Sequence, residues 1–273
     1  MDLSIIIVNY NTLEITRDCI ESVLKTTSRI DLEIILVDNG STDGSKVYFT
    51  ELAKKIEKVK YIYNTSNLGF SRANNIGLKN SIGDFTLLLN SDTLVKKGSI
   101  KKLLDFAKSR DEVGVVGARL LNEDGSTQKS CFYFPTLKRA IGQYWQNKHK
   151  ELDKFAPSSN KPIVVDAVVG AAMLITPESR KSVGLLDERY FMFFEDVDYC
   201  RRVSKKGLKT FYIPKSEIIH LHGKSGENLA KSSSQWKRLI PSSKIYHGII
   251  KHHVFNFILW SGQKMTKFRK KYK

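Results

Sequence analysis

The sequence has no run approaching the ~18–20 consecutive apolar residues that a membrane-spanning helix needs. It has only three cysteines, Cys19, Cys131 and Cys200, widely spaced and with no Cys-x-x-Cys. That leaves no disulfide framework and no thiolate zinc site, so the three read as reduced structural thiols. The N-terminus, Met1-Asp2-Leu3-Ser4, lacks the basic region and small-residue cleavage site of a signal peptide, and a cytoplasmic protein is expected. There is no internal repeat and no low-complexity block. With 41% hydrophobic and 27% charged residues, a wholly disordered or fibrous chain is excluded.

Acidic residues are also missing from one region. Residues 231–273 contain eleven Lys/Arg and no Asp or Glu. The rest of the chain holds 34 basic against 28 acidic residues, a net of +6 out of the total +17. The body is mildly basic and the tail strongly so, which points to an anionic surface as the tail's partner.

What is present is a rhythm. Residues 3–9 are an apolar, β-branched run that suits a strand buried on both faces. Helical spacing follows over 13–27, then a strand at 32–37, helix 43–57, strand 59–63, helix 71–82, strand 84–89, helix 98–109 and strand 113–118. This alternation predicts an α/β domain with a largely parallel central sheet flanked by helices. Polar residues stand at three strand ends: Asn9-Tyr10-Asn11, Asp38, and Asn90-Ser91-Asp92. Ligands of open α/β sheets bind at that edge.

Beyond residue 120 the rhythm changes. Residues 133–161 predict a long excursion with a short helix over 137–148. A strand pair is expected over 163–175, with Gly170-Ala171-Ala172 in its middle, then helix 195–206 and two short strands near 209–213 and 217–222. From 243, Tyr246, Ile249, Ile250, Val254, Phe257, Ile258, Met265 and Phe268 fall at helical spacing. They predict an amphipathic helix with a basic end, either docked on the core or lying on a membrane.

Each candidate site segment has a structural and a functional reading. Asn39-Gly40-Ser41-Thr42-Asp43-Gly44 is turn chemistry, with Ser41 or Thr42 expected as a helix cap. That leaves unexplained a carboxylate, Asp38, on the last turn of a buried strand. It suits a pyrimidine N3–H or ribose hydroxyls. The stretch from Asn67 to Gly77 reads as a helix start with Gly77 at a close helix–sheet contact. Arg72 in its first turn is unfavourable for the helix dipole unless an anion compensates it, and a diphosphate would do so. Asn90-Ser91-Asp92 is a cap or a metal–diphosphate site, since hard divalent cations take oxygen ligands and are often completed by substrate phosphates. In His220-Leu221-His222, His220 is the better candidate for a second metal ligand. Gly223-Lys224-Ser225 is no phosphate-binding loop, because Ile218 stands where that motif needs glycine. The run from Asp187 to Arg202 puts three carboxylates after five aromatic and Met residues. Acids suit a helix N-terminus, and Asp198 can pair with Arg201. That leaves Asp196 beside an aromatic wall, suited to general-base work.

Taken together, Ser4 to Thr12, Val37 to Ser45, Asn67-Leu68-Gly69-Phe70 with Asn74-Asn75-Ile76-Gly77, Leu89 to Asp92, Phe194 to Asp198, and His220 resemble the family-2 inverting glycosyltransferases. The rhamnosyltransferase-like branch is the nearest match, over roughly residues 3–225. The resemblance implies a GT-A fold with a nucleotide-sugar-binding half (1–120) and an acceptor and catalytic half (121–225), followed by a basic amphipathic tail (226–273). It implies that Tyr10, Asn11 and Asp38, beside Asn9, hold the nucleoside, and that Asn67, Arg72 and Asn74 line the donor pocket. Asp92, next to Asn90 and Ser91, would bind Mg2+ or Mn2+ with His220, and Asp196 would be the base. Asn90 departs from the usual Asp-x-Asp. The donor would be dTDP-rhamnose or a UDP-hexose, and the acceptor a glycan or a polyprenyl-linked glycan at the inner face of the cell membrane. The oligomeric state is open, a homodimer included. A nucleotidyltransferase would want a Gly-rich basic loop near the N-terminus, which is missing. A nucleic-acid-binding protein would want basic residues with exposed stacking aromatics on a compact domain, and here the positive charge is segregated from the polar strand ends.

Overall fold

In the computed structural model the described residues are 1–146, 148, 151–221 and 236–271, with backbone only for 236–238 and 266–271. Strand β1 (Leu3–Asn9) is buried almost throughout because it lies between two parallel neighbours, β2 (Leu32–Asp38) and β4 (Phe85–Asn90). Side chains alternate across the pleat. Ile5, Ile7, Ile34, Leu36, Leu87 and Leu89 therefore enter one core, and Ile6, Ile35, Val37 and Leu88 enter the other. Between the strands run α1 (Leu13–Thr26), α2 (Ser45–Lys55), β3 (Val59–Tyr63) and α3 (Phe70–Asn80). On α3, a Cβ at Gly77 would stand 2.5 Å from Ile6 Cγ2, so only glycine lets this helix sit so close to the sheet.

After β4 come β5 (Thr93–Val95), α4 (Ser99–Lys108), β6 (Val113–Leu121), β7 (Cys131–Phe132) and α5 (Leu137–Tyr144). Helix α4 buries Ile100, Leu103, Leu104 and Ala107, the i, i+3, i+4, i+7 face of an amphipathic helix. Then follow β8 (Ile163–Val165), β9 (Ala167–Val168), β10 (Ala172–Ile175), α6 (Pro177–Val183), α7 (Glu195–Lys205), β11 (Lys209–His220), α8 (Trp236–His247) and α9 (Ile249–Lys271).

The main sheet has nine strands in the order β3-β2-β1-β4-β10-β6-β11-β5, with β8 also on β11. Six strands run one way; β10, β5 and β8 run against them. The sheet is thus largely parallel, with an antiparallel strand in its middle. β10, from the later part of the chain, inserts between β4 and β6 and pairs with both.

Four expectations are corrected. Residues 163–175 are not a strand pair: β8, β9 and β10 take different partners. Asp166 interrupts the run, because its carboxylate accepts from Phe134 N and Arg139. The two short strands expected near 209–213 and 217–222 are one strand, β11, with an irregular register between Ile213 and Glu217 where Pro214 has no N–H to give. The short helix expected over 137–148 ends at Tyr144. The C-terminal helix is two helices, broken at Gly248 in a left-handed conformation (φ 79°). Helix α6, with Thr176 as its cap and Pro177 in its first turn, carried a start signal that the reading by alternation passed over.

Helices α8 and α9 dock on the core. Tyr246 and Ile258 are buried, Arg201 lies 3.8 Å over the Tyr246 ring, and Trp145 Nε1 donates to Ser261 Oγ. No described helix is long and apolar enough to cross a membrane. His222 and the Gly223-Lys224-Ser225 stretch lie outside the described residues.

Candidate active site

The chain direction across the sheet reverses between β1 and β4: β2 and β3 lie on one side of β1, β4 on the other. A crevice opens at the carboxyl ends of strands at such a switch point. A cavity of about 720 Å³ lies there, and Tyr10, Asn67, Asn90, Ser91, Asp196 and His220 all line it. Asn9, Asn11, Asp38, Arg72, Asn74 and Asp92 are outside the lining.

Several of these outer residues build the walls. Asn9 is fully buried. It donates to Ser41 Oγ and accepts from the hydroxyls of Thr12 and Thr16. Asn11 adopts a left-handed backbone (φ 54°), and its Oδ1 accepts from Thr42 N. Asp38, also fully buried, accepts from Ser41 N at 3.0 Å and from the Tyr61 hydroxyl at 2.7 Å. Burial, with Asp38 beside it, raises the Tyr61 pKa, so that hydroxyl stays a donor. The expected cap at Ser41 or Thr42 is replaced by Asp43, which accepts from Ser45 N and Leu13 N and so serves the first turns of two helices. A carboxylate has two oxygens and can do what one hydroxyl cannot.

Asn39 ties two loops together. Its Nδ2 donates to Asn67 Oδ1 and its Oδ1 accepts from Asn64 Nδ2 and Leu68 N. The second loop is tied in turn to the aromatic run, because Phe70 N donates to Phe191 O at 2.7 Å. Gly69 sits at that crossing with φ 86°, and a Cβ there would stand 2.6 Å from Phe191 O. Asn74 is buried and turned back on Phe70 O. Arg72 is exposed and 3.7 Å from Glu188. The compensating anion in this structure is a carboxylate of the protein itself.

At the end of β4, Asp92 is fully buried and its Oδ1 lies 3.4 Å from His220 Nε2. The His220 tautomer follows from its neighbours. Gln128 Nε2 donates to Asn122 Oδ1 and to the His220 carbonyl. Gln128 Oε1 must then accept from His220 Nδ1, at 2.7 Å. In the neutral ring Nε2 is then the acceptor, 3.4 Å from Asp92 Oδ1 and 3.5 Å from Asn90 Nδ2. A carboxylate oxygen and an imidazole acceptor nitrogen this close are a donor set for a divalent cation, and a hydrogen-bonded second nitrogen is the usual support of a metal-binding histidine. Among the described residues no third His, Cys, Asp or Glu joins them. The set therefore fits a cation whose remaining positions go to diphosphate oxygens and water.

Asp196 lines the same cavity, at the first turn of α7. Its Oδ2 accepts from Gly170 N at 3.0 Å and its Oδ1 from Val197 N at 2.8 Å. The next residue, Ala171, accepts from Asn90 N at 2.9 Å through its carbonyl. Two consecutive residues of the β9–β10 loop therefore bridge the base candidate to the end of β4. Burial pushes the Asp196 carboxyl up. Burial, and then the charge of Asp196, pushes Glu195 up to about 8. Asp198 pairs with both Arg201 and Arg202. Phe193 and Phe194 precede this turn with φ of 72° and 73°. Two bulky residues in the left-handed region cost roughly 1–2 kcal/mol each, and such strain concentrates at functional sites.

Sequence reasoning missed Gln128, Gly170, Asn39 as a staple, and the α8–α9 wall of the cavity. Asn39 had a signal, as the neighbour of Asp38 on a strand end. Gln128 had none.

The sequence model described as "Glycosyl transferase family 2" matches residues 4–168. An N-acetylglucosaminyl-diphospho-decaprenol L-rhamnosyltransferase of Mycobacterium tuberculosis is 28% identical over 209 residues, covering 69% of this chain and 66% of that protein. The low-salt glycan biosynthesis hexosyltransferase Agl10 of Haloferax volcanii is 28% identical over 226 residues, covering 80% of this chain and 67% of the relative. Two solved structures share the fold. GalNAc-T7 with UDP, GalNAc and Mn2+ has a TM-score of 0.63 at 18% identity, over 80% of this chain and 43% of that one. The mannosyltransferase PcManGT from Pyrobaculum calidifontis with GDP-Man and Mn2+ has 0.61 at 15%, over 93% and 64%. These likenesses show a GT-A fold. With the family match covering more than half of its length, and its strand ends gathered round one cavity, the chain belongs to glycosyl transferase family 2.

Proposed function

We propose that the protein is a metal-assisted, inverting glycosyltransferase. It moves a sugar, rhamnose from dTDP-rhamnose by preference, to a hydroxyl of a lipid-linked or polysaccharide acceptor in cell-surface glycan synthesis. The observation that carries this reading is the Gly170-Ala171 bridge, which joins Asp196 to the end of β4 in one cavity. Asp38, with Tyr10 and Asn11 near it, is assigned to the nucleoside, and Asn67 to the donor wall. Arg72, paired with Glu188, is given no step.

A divalent cation, Mg2+ or Mn2+, held at Asp92 and His220 would supply charge neutralisation at the departing diphosphate. The protein's own contribution is geometric and basic. Backbone N–H groups of Gly170 and Val197 fix the Asp196 carboxylate. Its raised pKa makes it a stronger base than an exposed aspartate once deprotonated. It takes the proton of the acceptor hydroxyl as the oxygen attacks the anomeric carbon from the face opposite the leaving group, so configuration inverts.

A UDP-hexose is the second reading for the donor, supported by the hexosyltransferase name of the Haloferax relative. A thermal-shift screen of dTDP-rhamnose, UDP-hexoses and GDP-mannose, with and without Mn2+, tests both. One sugar nucleotide should raise the melting temperature by several degrees, and more with Mn2+. No shift with any of them would overturn the donor assignment.

The same reading puts the protein peripherally on an anionic membrane. Among the described residues, half of the exposed large hydrophobic side chains are on α8 and α9. Ile250, Val254, Phe257 and Trp260 form an outward stripe at i, i+4, i+7, i+10 on α9. The basic tail supplies complementary charge. Vesicles containing phosphatidylglycerol should retain the protein at low salt, and changing Ile250, Val254 and Phe257 to Ser should release it. Equal retention by the triple variant would remove the stripe from the membrane model.

A further inference from the structure

The cavity is more mixed in character than a nucleotide-sugar alone accounts for. Its inner wall is polar: Asn39, Asn67, Asn90, Ser91 and His220. Its outer wall is apolar and comes from α8 and α9, with Leu239, Ile240, Phe255 and Leu259 facing the Phe191–Phe194 run. A sugar nucleotide is hydroxylated or charged over most of its surface and gains little from that wall. Water against it is unfavourable as well. The outer half suits a second ligand that carries an apolar part.

Two polar features stand in the outer half, and the first refines the ligand's chemistry. His247 lines the cavity, with its ring stacked on Phe255 at 4.7 Å and edge-on to Phe194 at 6.2 Å. Its Nε2 is buried without a hydrogen-bond partner among the described residues. Burial, then the nearby His252, Arg201 and Lys251, hold its pKa down to about 4. The ring is therefore neutral at physiological pH and suits a hydroxyl rather than a phosphate. Beside it, Asn256 donates to His252 Nε2 at 2.9 Å, which turns His252 Nδ1 as a donor to Ser243 Oγ at 2.9 Å. This chain fixes the α8–α9 angle beside the opening.

We infer that the outer half of the cavity, between the Phe191–Phe194 run and the α8–α9 pair, is the acceptor site. Its ligand is an amphiphile, with a hydroxyl-bearing head at Asp196 and His247 and an apolar chain along Leu239, Ile240, Phe255 and Leu259. This rests on the glycosyltransferase reading and adds to it the part of the chain that lies beyond the matched residues 4–168. His247 is a positioning residue: it orients the head and takes no proton in the transfer.

The test uses the full-length protein with dTDP or UDP and Mn2+ present, and two probes: octyl β-D-glucoside below its micelle concentration, and methyl β-D-glucoside. Calorimetry should show the octyl compound binding at least about tenfold more tightly than the methyl one, the gain expected from burying an alkyl chain. His247→Ala should weaken the octyl compound about five- to tenfold, the usual loss of one hydrogen bond and its packing, with nucleotide affinity unchanged. Leu259→Asn, on the same apolar wall but outside the His247 ring contacts, should weaken it by a similar factor, so a folding failure in one variant leaves the other. Changing Ile250 and Phe257 to Ser on the outer face should leave octyl binding as it was. Loss of binding in that outer variant, or equal affinity for both glucosides, would overturn the inference. Octyl binding without any nucleotide binding would instead refute the donor reading and leave the apolar site standing.

Discussion

Asp196→Asn is expected to lower sugar transfer by about 10³-fold or more, while donor affinity stays within a few-fold; general-base groups contribute roughly 10²–10⁴. The substitution keeps size and removes the basic oxygen. It also turns one carboxylate oxygen, which accepts from Gly170 N or Val197 N, into an amide that has no lone pair to offer there. The wild-type rate should rise with pH. Asp196 works only when deprotonated, and burial raises its pKa above that of a free aspartate. The acid limb of the profile should therefore lie higher than an exposed carboxylate would put it. The variant's residual rate should lack that limb. Near-normal turnover in Asp196→Asn, with product stereochemistry checked by NMR, would transfer the role to another group.

The second large effect concerns the Asp92–His220 pair. Treatment with EDTA is expected to abolish transfer and the Mn2+-dependent part of the thermal shift. His220→Ala should weaken Mn2+ by more than Gln128→Leu does. Gln128 touches no metal in this scheme. It holds the His220 tautomer through a 2.7 Å bond and is itself anchored by Asn122. Losing such a support costs on the order of 10- to 100-fold in metal affinity. Titrating Mn2+ against the nucleotide-dependent melting shift gives this ranking independently of turnover. Full activity in chelator would take the cation out of the reaction. An unchanged Mn2+ titration in Gln128→Leu would dismiss the orienting role.

The strand ends were legible because their signals are local. Apolar runs closed by Asn9, Asp38 and Asn90 say where a parallel strand stops, and a switch point follows from the order of such strands. Gly77 was legible for the same reason, as a residue with no side chain to clash with Ile6. The reading of residues 163–175 failed where the signal was not local. Three short apolar pieces look like a hairpin in sequence, yet each finds its partner elsewhere. Strand pairing of a short run is settled by what lies beside it, not by its own pattern. Arg72 shows the same limit: its charge called for an anion, and the neighbour that answers is Glu188, 116 positions along the chain.

The sequence by itself determined the α/β alternation, the polar carboxyl edge and the family. Periodicity and turn chemistry act over a few residues and do not need the fold to be read. The tertiary structure alone decided that β10 enters between β4 and β6, which carries Gly170 to Asp196 across 26 residues. It also decided that Gln128 meets His220 across 92 residues, and that α8 and α9 close the cavity with an apolar wall. Contacts at such separations depend on how the cores pack on the two faces of the sheet, and no short stretch of sequence encodes them.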